Sequence, residues 1–104
     1  MKNPSKILNQ LKILKALYSQ ENQNELIERY LDEIITHEIN IAQQQIAEIE
    51  TDLKQFEYQY QMSSKDFYRR FKRGELGDDI DFVEWSAFYQ MWCSAQKRLK
   101  LIQP

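Results

Sequence analysis

The side chains best suited to chemistry lie in the C-terminal third of the chain. Asp78, Asp79, Asp81 and Glu84 place four carboxylates within one short stretch, the oxygen-rich composition that a hard divalent cation prefers. Their spacing does not follow the alternating twelve-residue pattern of a calcium-binding loop. They follow Gly77 and precede an apolar periodic run, so the positive end of a helix explains them without a metal. His37 has Glu33 one turn before it and Glu38 beside it, but it is the only histidine and Cys93 the only cysteine, and no H-E-x-x-H spacing is present. It reads as an exposed histidine paired with Glu33. Cys93 has no base at a readable spacing and reads as a small residue near the core. Gly74 and Gly77 are the only glycines, which leaves no phosphate-cradling loop, and no Ser/His/Asp arrangement is in view. The expectation is a protein that is not an enzyme and holds no metal or cofactor.

The segment Tyr68-Arg69-Arg70-Phe71-Lys72-Arg73 interleaves four bases with two aromatics, the composition nucleic-acid binders use for phosphates and stacked bases. A pI near 5.4 stands against that reading, as does the strongly acidic stretch just before it. Phe67 and Phe71, four residues apart, turn toward a core more simply, leaving Arg69, Arg70, Lys72 and Arg73 as a basic patch. A regulator that binds nucleic acid through this patch is the alternative to a protein partner.

The elements that must carry these residues are helical. Among 104 residues there are 2 Gly and 2 Pro, with 42% hydrophobic and 29% charged, too few turn formers for a sandwich or barrel and enough aromatics to build one small all-α domain over residues 1–104. No apolar run approaches the roughly 20 residues of a membrane span, and the N-terminal stretch lacks a signal peptide's apolar centre. With a lone cysteine, this suggests a soluble cytoplasmic protein.

The net charge of −2 hides a segregation. Residues 1–20 carry +4, residues 21–62 carry −8, residues 63–76 carry +3 and the rest −1, so the first two segments favour packing as an antiparallel pair. Ile7, Leu11, Leu14 and Tyr18 predict a helix over about 5–19 with its N-cap near Ser5, and the polar 19–24 stretch reads as a connection. A long helix over 24–62 follows. Ile39, Ala42, Ile46, Ile49, Leu53, Phe56 and Tyr60 alternate steps of three and four along it, a coiled-coil-like heptad. Ile27, Leu31 and Ile35 extend the stripe backward with a drift.

Ser63 and Asp66 then resemble a capping box, with Met62 set to staple onto Phe67 and open a short helix over 64–73. Gly74 stands where a left-handed C′ residue is wanted. Asp78 or Asp79 caps a last helix over 80–102. The stretch Asp81 to Ile102 matches Ile39 to Tyr60 in length, so the two can lie antiparallel in a helical hairpin. The wide face of the last helix exceeds what one neighbour covers, leaving an aromatic edge for a partner.

The block from Met62 to Trp85, read as M-S-S-x-x-F-Y-x-x-F-x-x-G-E-L-G-D-x-x-D-F-x-E-W, resembles a family of short helical proteins of bacteria, especially cyanobacteria, and archaea. The likeness covers about 24 of the 104 residues and leaves the N-terminal helix outside it. It implies an antitoxin-type role, neutralising a small toxin encoded alongside. The combined expectation is a protein-binding module, a homodimer or a partner of such a toxin. Its contact residues would be Phe67, Tyr68, Phe71, Glu75, Leu76, Asp78, Asp79, Phe82, Trp85, Tyr89 and Trp92. A purely structural helical dimer is the remaining alternative.

Overall fold

A computed structural model of the chain describes residues 3–21 and 24–104. These form four α helices and no strand: α1 Pro4–Glu21, α2 Glu25–Tyr60, α3 Ser64–Lys72 and α4 Ile80–Ile102. The all-α class expected from composition is what the chain adopts. The helix ends fall within about two residues of the expected ones, and the differences have local causes. Asn3, not Ser5, caps α1, its Oδ1 accepting from the Lys6 N–H at 3.3 Å. Pro4 therefore takes a first-turn position, where its missing N–H costs nothing. At the other end α1 runs into the polar stretch expected to be a connection, as far as Glu21; Asn22 and Gln23 of that connection lie outside the described residues. Asn24 caps α2 in the same way, accepting from the Ile27 N–H at 3.2 Å.

The chain divides into two compact units, Met1–His37 and Glu38–Pro104, with α2 passing through both. In the C-terminal unit, α2 and α4 run antiparallel as expected. Tyr60 pairs with Asp81, Glu50 with Trp92 and Glu38 with Arg98, so positions rise along one helix as they fall along the other. The heptad supplies the floor: Ala42, Ile46, Ile49 and Leu53 are buried, with Phe56 and Tyr60 packed at their flank. Phe67 of α3 and Trp85 of α4 are closed off completely, each 0% exposed. Their rings stack at 3.9 Å between centroids and 6° between planes.

Two left-handed residues make the corners between the helices. After α2, Gln61 takes φ +51° and the Met62 N–H returns to the Glu57 carbonyl at 3.3 Å. After α3, Gly74 takes φ +74°, with its own N–H on the Phe71 carbonyl and the Glu75 N–H on the Arg70 carbonyl. The second is a full Schellman closure; the first makes its long bond alone, with the Gln61 side chain donating to the Tyr58 carbonyl, and both satisfy last carbonyls of a helix and reverse the chain. Gly74 was legible as such; Gln61 was not, because a residue with a Cβ seldom adopts that conformation.

Ser63 caps α3, accepting from the Asp66 N–H at 3.1 Å. The return half of the expected capping box is replaced. Asp66 turns to Arg69, and Glu57 of α2 accepts from the Ser64 N–H at 2.8 Å. Met62 packs on the core that holds Phe67. Asp79 is the cap of α4, its Oδ1 accepting from the Asp81 N–H at 2.9 Å.

Candidate interaction site

The residues expected to meet a partner at the corner and on the aromatic face are instead largely spent on the fold. Phe67 and Trp85 have no accessible surface, so no partner reaches them while the unit is folded. Trp85 is sandwiched by Phe67, Phe56 and Tyr60, and its indole N–H donates to the Ser64 hydroxyl at 2.9 Å, itself buried. Tyr68, Phe71, Leu76, Phe82, Tyr89 and Trp92 are half-buried and lean on the same core. The reason is α3, which caps the broad face of α4 where the sequence suggested a free edge. Glu75, Asp78 and Asp79 are exposed, with Asp79 engaged as the cap of α4.

The half-buried polar groups are tied down as well. The Tyr60 hydroxyl donates to Asp81 Oδ2 at 2.6 Å, and that hydrogen bond, then burial, then the charges of Asp81 and Asp79 push its pKa up to about 12. Trp92 Nε1 donates to Glu50 Oε2 at 3.1 Å. Burial, followed by the neighbouring Cys93, raises the pKa of Tyr89. A cleft of about 510 Å³ lies between α2, the start of α3 and α4. Its two carboxylates, Glu50 and Glu57, are already held by Trp92 and by the Ser64 backbone.

The basic patch is a mixed surface. Arg69 pairs with Asp66 at 3.3 Å, and the Lys72 ammonium sits 5.7 Å from the centre of the Tyr68 ring. Arg73 is exposed and Arg70 half-exposed. His37 is exposed, but Glu33 pairs with Arg29 at 3.5 Å and not with the histidine. Among the described residues, no three His, Cys, Asp or Glu side chains gather in a way that could hold a metal ion. None of the described helices is long and apolar enough to cross a membrane.

The open apolar surface lies at the other end of the sequence. In the N-terminal unit, α1 and the first turns of α2 form a hairpin in which the Tyr18 hydroxyl donates to Glu28 Oε1 at 2.6 Å, a bond that raises the tyrosine pKa. No described residue of this unit is buried. It carries twelve of the seventeen large hydrophobic side chains that are exposed among the described residues. Between its two helices runs a groove of about 640 Å³. Leu11, Leu14, Tyr18, Ile27 and Leu31 are its apolar lining, Lys15 its basic side on α1, and Glu28 and Asp32 its acidic side on α2.

Sequence reasoning found the stripe Ile7, Leu11, Leu14 and Tyr18 and gave it to α2. It passed over Leu8, Ile13 and Leu17, which widen the apolar part of α1 to about half the circumference at 100° per residue. It also passed over Leu26, Tyr30 and Ile34, a second apolar edge on α2. One neighbour cannot cover two half-circumferences, and that was the signal for an open hairpin.

The fold and its surfaces define a small all-α protein with a closed aromatic unit and an open apolar hairpin. Comparison with known proteins finds no family model, no curated protein and no solved structure that matches the chain.

Proposed function

We propose that this chain is a non-enzymatic protein-binding module that docks its partner on the N-terminal hairpin, with the C-terminal unit as its folded support. The observation that carries the reading is the contrast in burial. One unit closes over its aromatics, while the other leaves leucines and isoleucines 39–60% exposed along both helices. Contiguous apolar surface of this extent on a soluble protein marks an interaction site. A helix pair with no fully buried side chain gains further stability by packing its apolar faces against something else. The resemblance of residues 62–85 to small antitoxin-type proteins supports neutralisation of a small toxin as the role the assembled protein serves. A cytoplasmic location accords with that role.

The experiment is site-specific photocrosslinking in cells, with a crosslinking side chain placed at Leu14 in one variant and at Val83, exposed on α4, in another. The expected result is a discrete protein adduct at Leu14 that disappears when Leu31 is changed to Asp. An adduct at Val83 alone would overturn the assignment to the hairpin. Nucleic acid recovered by the native chain at physiological salt, and lost when Arg69, Arg70, Lys72 and Arg73 are all changed to Gln, would overturn the protein-binding reading.

A further inference from the structure

We infer that the occupant of the hairpin groove is a second copy of this chain, paired so that α1 of each copy lies antiparallel against α2 of the other in a four-helix bundle. The inference rests on the hairpin being the docking surface and adds what docks there.

Charge provides the first argument. Within the described residues, α1 carries Lys6, Lys12 and Lys15 and no acid before Glu21, while the first turns of α2 carry Glu25, Glu28, Asp32 and Glu33 against Arg29. The ion pairs found among the described residues join Arg29 to Glu33, Arg69 to Asp66 and Arg98 to Glu38. None uses a lysine of α1, and Glu25 and Asp32 are likewise unpaired. The groove has its base, Lys15, on one side and its acids, Glu28 and Asp32, on the other. A partner matching it must be acidic where α1 runs and basic where α2 runs, and the hairpin itself is such an object.

Symmetry makes this specific. Two identical hairpins stacked face to face are related by a two-fold axis in the plane between them. With the axis across the helices, α1 meets α1 and α2 meets α2, placing lysines on lysines and acids on acids. With the axis along the helices, α1 of one copy meets α2 of the other, antiparallel, and each helix then has only oppositely charged neighbours. Like charges brought together are penalised and opposite ones steer the encounter, so the second arrangement is selected.

Area agrees. Leu11, Leu14, Tyr18 and Leu31 of the groove and their neighbours Ile7 and Ile35 are 37–52% exposed, which is on the order of 500 Å² of surface per chain, mostly apolar. With a charged rim this reaches the roughly 800 Å² per partner that a stable interface buries.

The test is sedimentation velocity on the full-length chain at micromolar concentration, for the native protein and for Lys15→Glu and Asp32→Lys. The native chain should sediment at twice its 12.6 kDa, and 0.5 M salt should weaken that association severalfold. Each variant alone places like charges across the interface twice and should associate at least tenfold more weakly. An equal mixture should recover association to within about threefold of native, because each reversed side chain then meets an opposite charge. Recovery on mixing also shows that both variants keep a folded hairpin. A native monomer at 100 µM, or a dimer indifferent to both reversals, would overturn the inference. If Leu14 crosslinks to a different protein while the chain stays monomeric, the second copy is refuted and the protein-binding reading stands. If neither crosslinking nor sedimentation reports a protein, both fall.

Discussion

Trp85→Phe tests the centre of the C-terminal unit, because Trp85 joins ring stacking to a buried hydrogen bond. The native indole has no exposed surface and lies against Phe67 at 3.9 Å, Phe56 at 5.6 Å and Tyr60 at 5.8 Å. A phenyl ring keeps much of the stack and leaves a void of roughly 40 Å³, which at about 24 cal/mol per Å³ costs about 1 kcal/mol, with a similar amount for apolar surface no longer removed from water. The larger consequence is at Ser64. Its hydroxyl accepts from the indole at 2.9 Å and is 4% exposed, and a buried polar group that loses its partner costs about 1–3 kcal/mol. The expected loss is therefore about 3–5 kcal/mol, or a fall in Tm of more than 10 °C at about 4–8 °C per kcal/mol.

Ser64→Ala separates the two contributions. Alone it strands the indole N–H and should cost about 1–3 kcal/mol. Combined with Trp85→Phe it removes both partners, so the double variant should be more stable than the two single losses predict, with a coupling of about 1–2 kcal/mol. Urea unfolding followed by far-UV dichroism gives all four stabilities. A Trp85→Phe midpoint close to native would place Trp85 outside a tight core. Additive losses would show that the hydrogen bond to Ser64 contributes nothing.

Four further outcomes follow from the packing of the helices and their corners. The Tyr60 phenol is held protonated by Asp81, with its pKa raised from 10 to about 12. Its contribution to stability should be full below pH 10 and lost as pH rises through 12, so the urea midpoints of native protein and Tyr60→Phe should converge between pH 10 and 12. Gln61→Gly removes the cost of a left-handed residue with a Cβ and loses the side-chain bond from Gln61 Nε2 to the Tyr58 carbonyl at 2.7 Å, for a net stabilisation of up to about 1 kcal/mol by thermal melting. Gly74→Ala should cost about 1–2 kcal/mol although nothing beyond the adjacent residues lies within 4 Å of the added carbon, because φ +74° alone opposes it. Amide exchange in α1 and in α2 up to His37 should slow as protein concentration rises, while exchange in α3 and α4 stays constant; protection independent of concentration throughout would refute self-association.

Much of the fold was legible because its signals are local. Helix periodicity, the Ser63 cap, Asp79 as one of two candidate caps, and the left-handed Gly74 each need only a few neighbouring residues to be read. The candidate site was harder to read because burial is a tertiary property. The breadth of the α4 aromatic face was visible, but how much of it α3 would cover was not. Phe67 and Trp85 therefore looked like contact residues when they are the centre of the core. Asp66 and Glu57 show the same limit at smaller scale. The spacing from Ser63 pointed to Asp66 as the reciprocal cap, and a carboxylate seven residues before Ser64, brought round by the Gln61 corner, takes a neighbouring N–H instead. The open hairpin did have a sequence signature in Leu8, Ile13, Leu17, Leu26, Tyr30 and Ile34, since apolar positions on both edges of two helices cannot all be covered by one another.

The contrast between the two units bears on how binding at the hairpin would work. In the C-terminal unit the rings stack on one another, and no buried side-chain polar atom among the described residues lacks a hydrogen-bond partner, so its order is internal. In the N-terminal unit the capping bonds of Asn3 and Asn24 and the bond between Tyr18 and Glu28 are exposed or only part-buried. Exposed hydrogen bonds contribute little against water, and a helix in a protein draws most of its stability from packing its amphipathic face. A partner that covers Leu11, Leu14 and Leu31 would then add much of the hairpin's stability, so ordering it and binding that partner would be one equilibrium. Part of the gross interaction energy is spent on ordering, which weakens binding per unit of buried area relative to a rigid surface. An interface of this kind responds steeply to small changes at the groove. One reversed charge or one polar substitution weakens the contact and also the helices that present it.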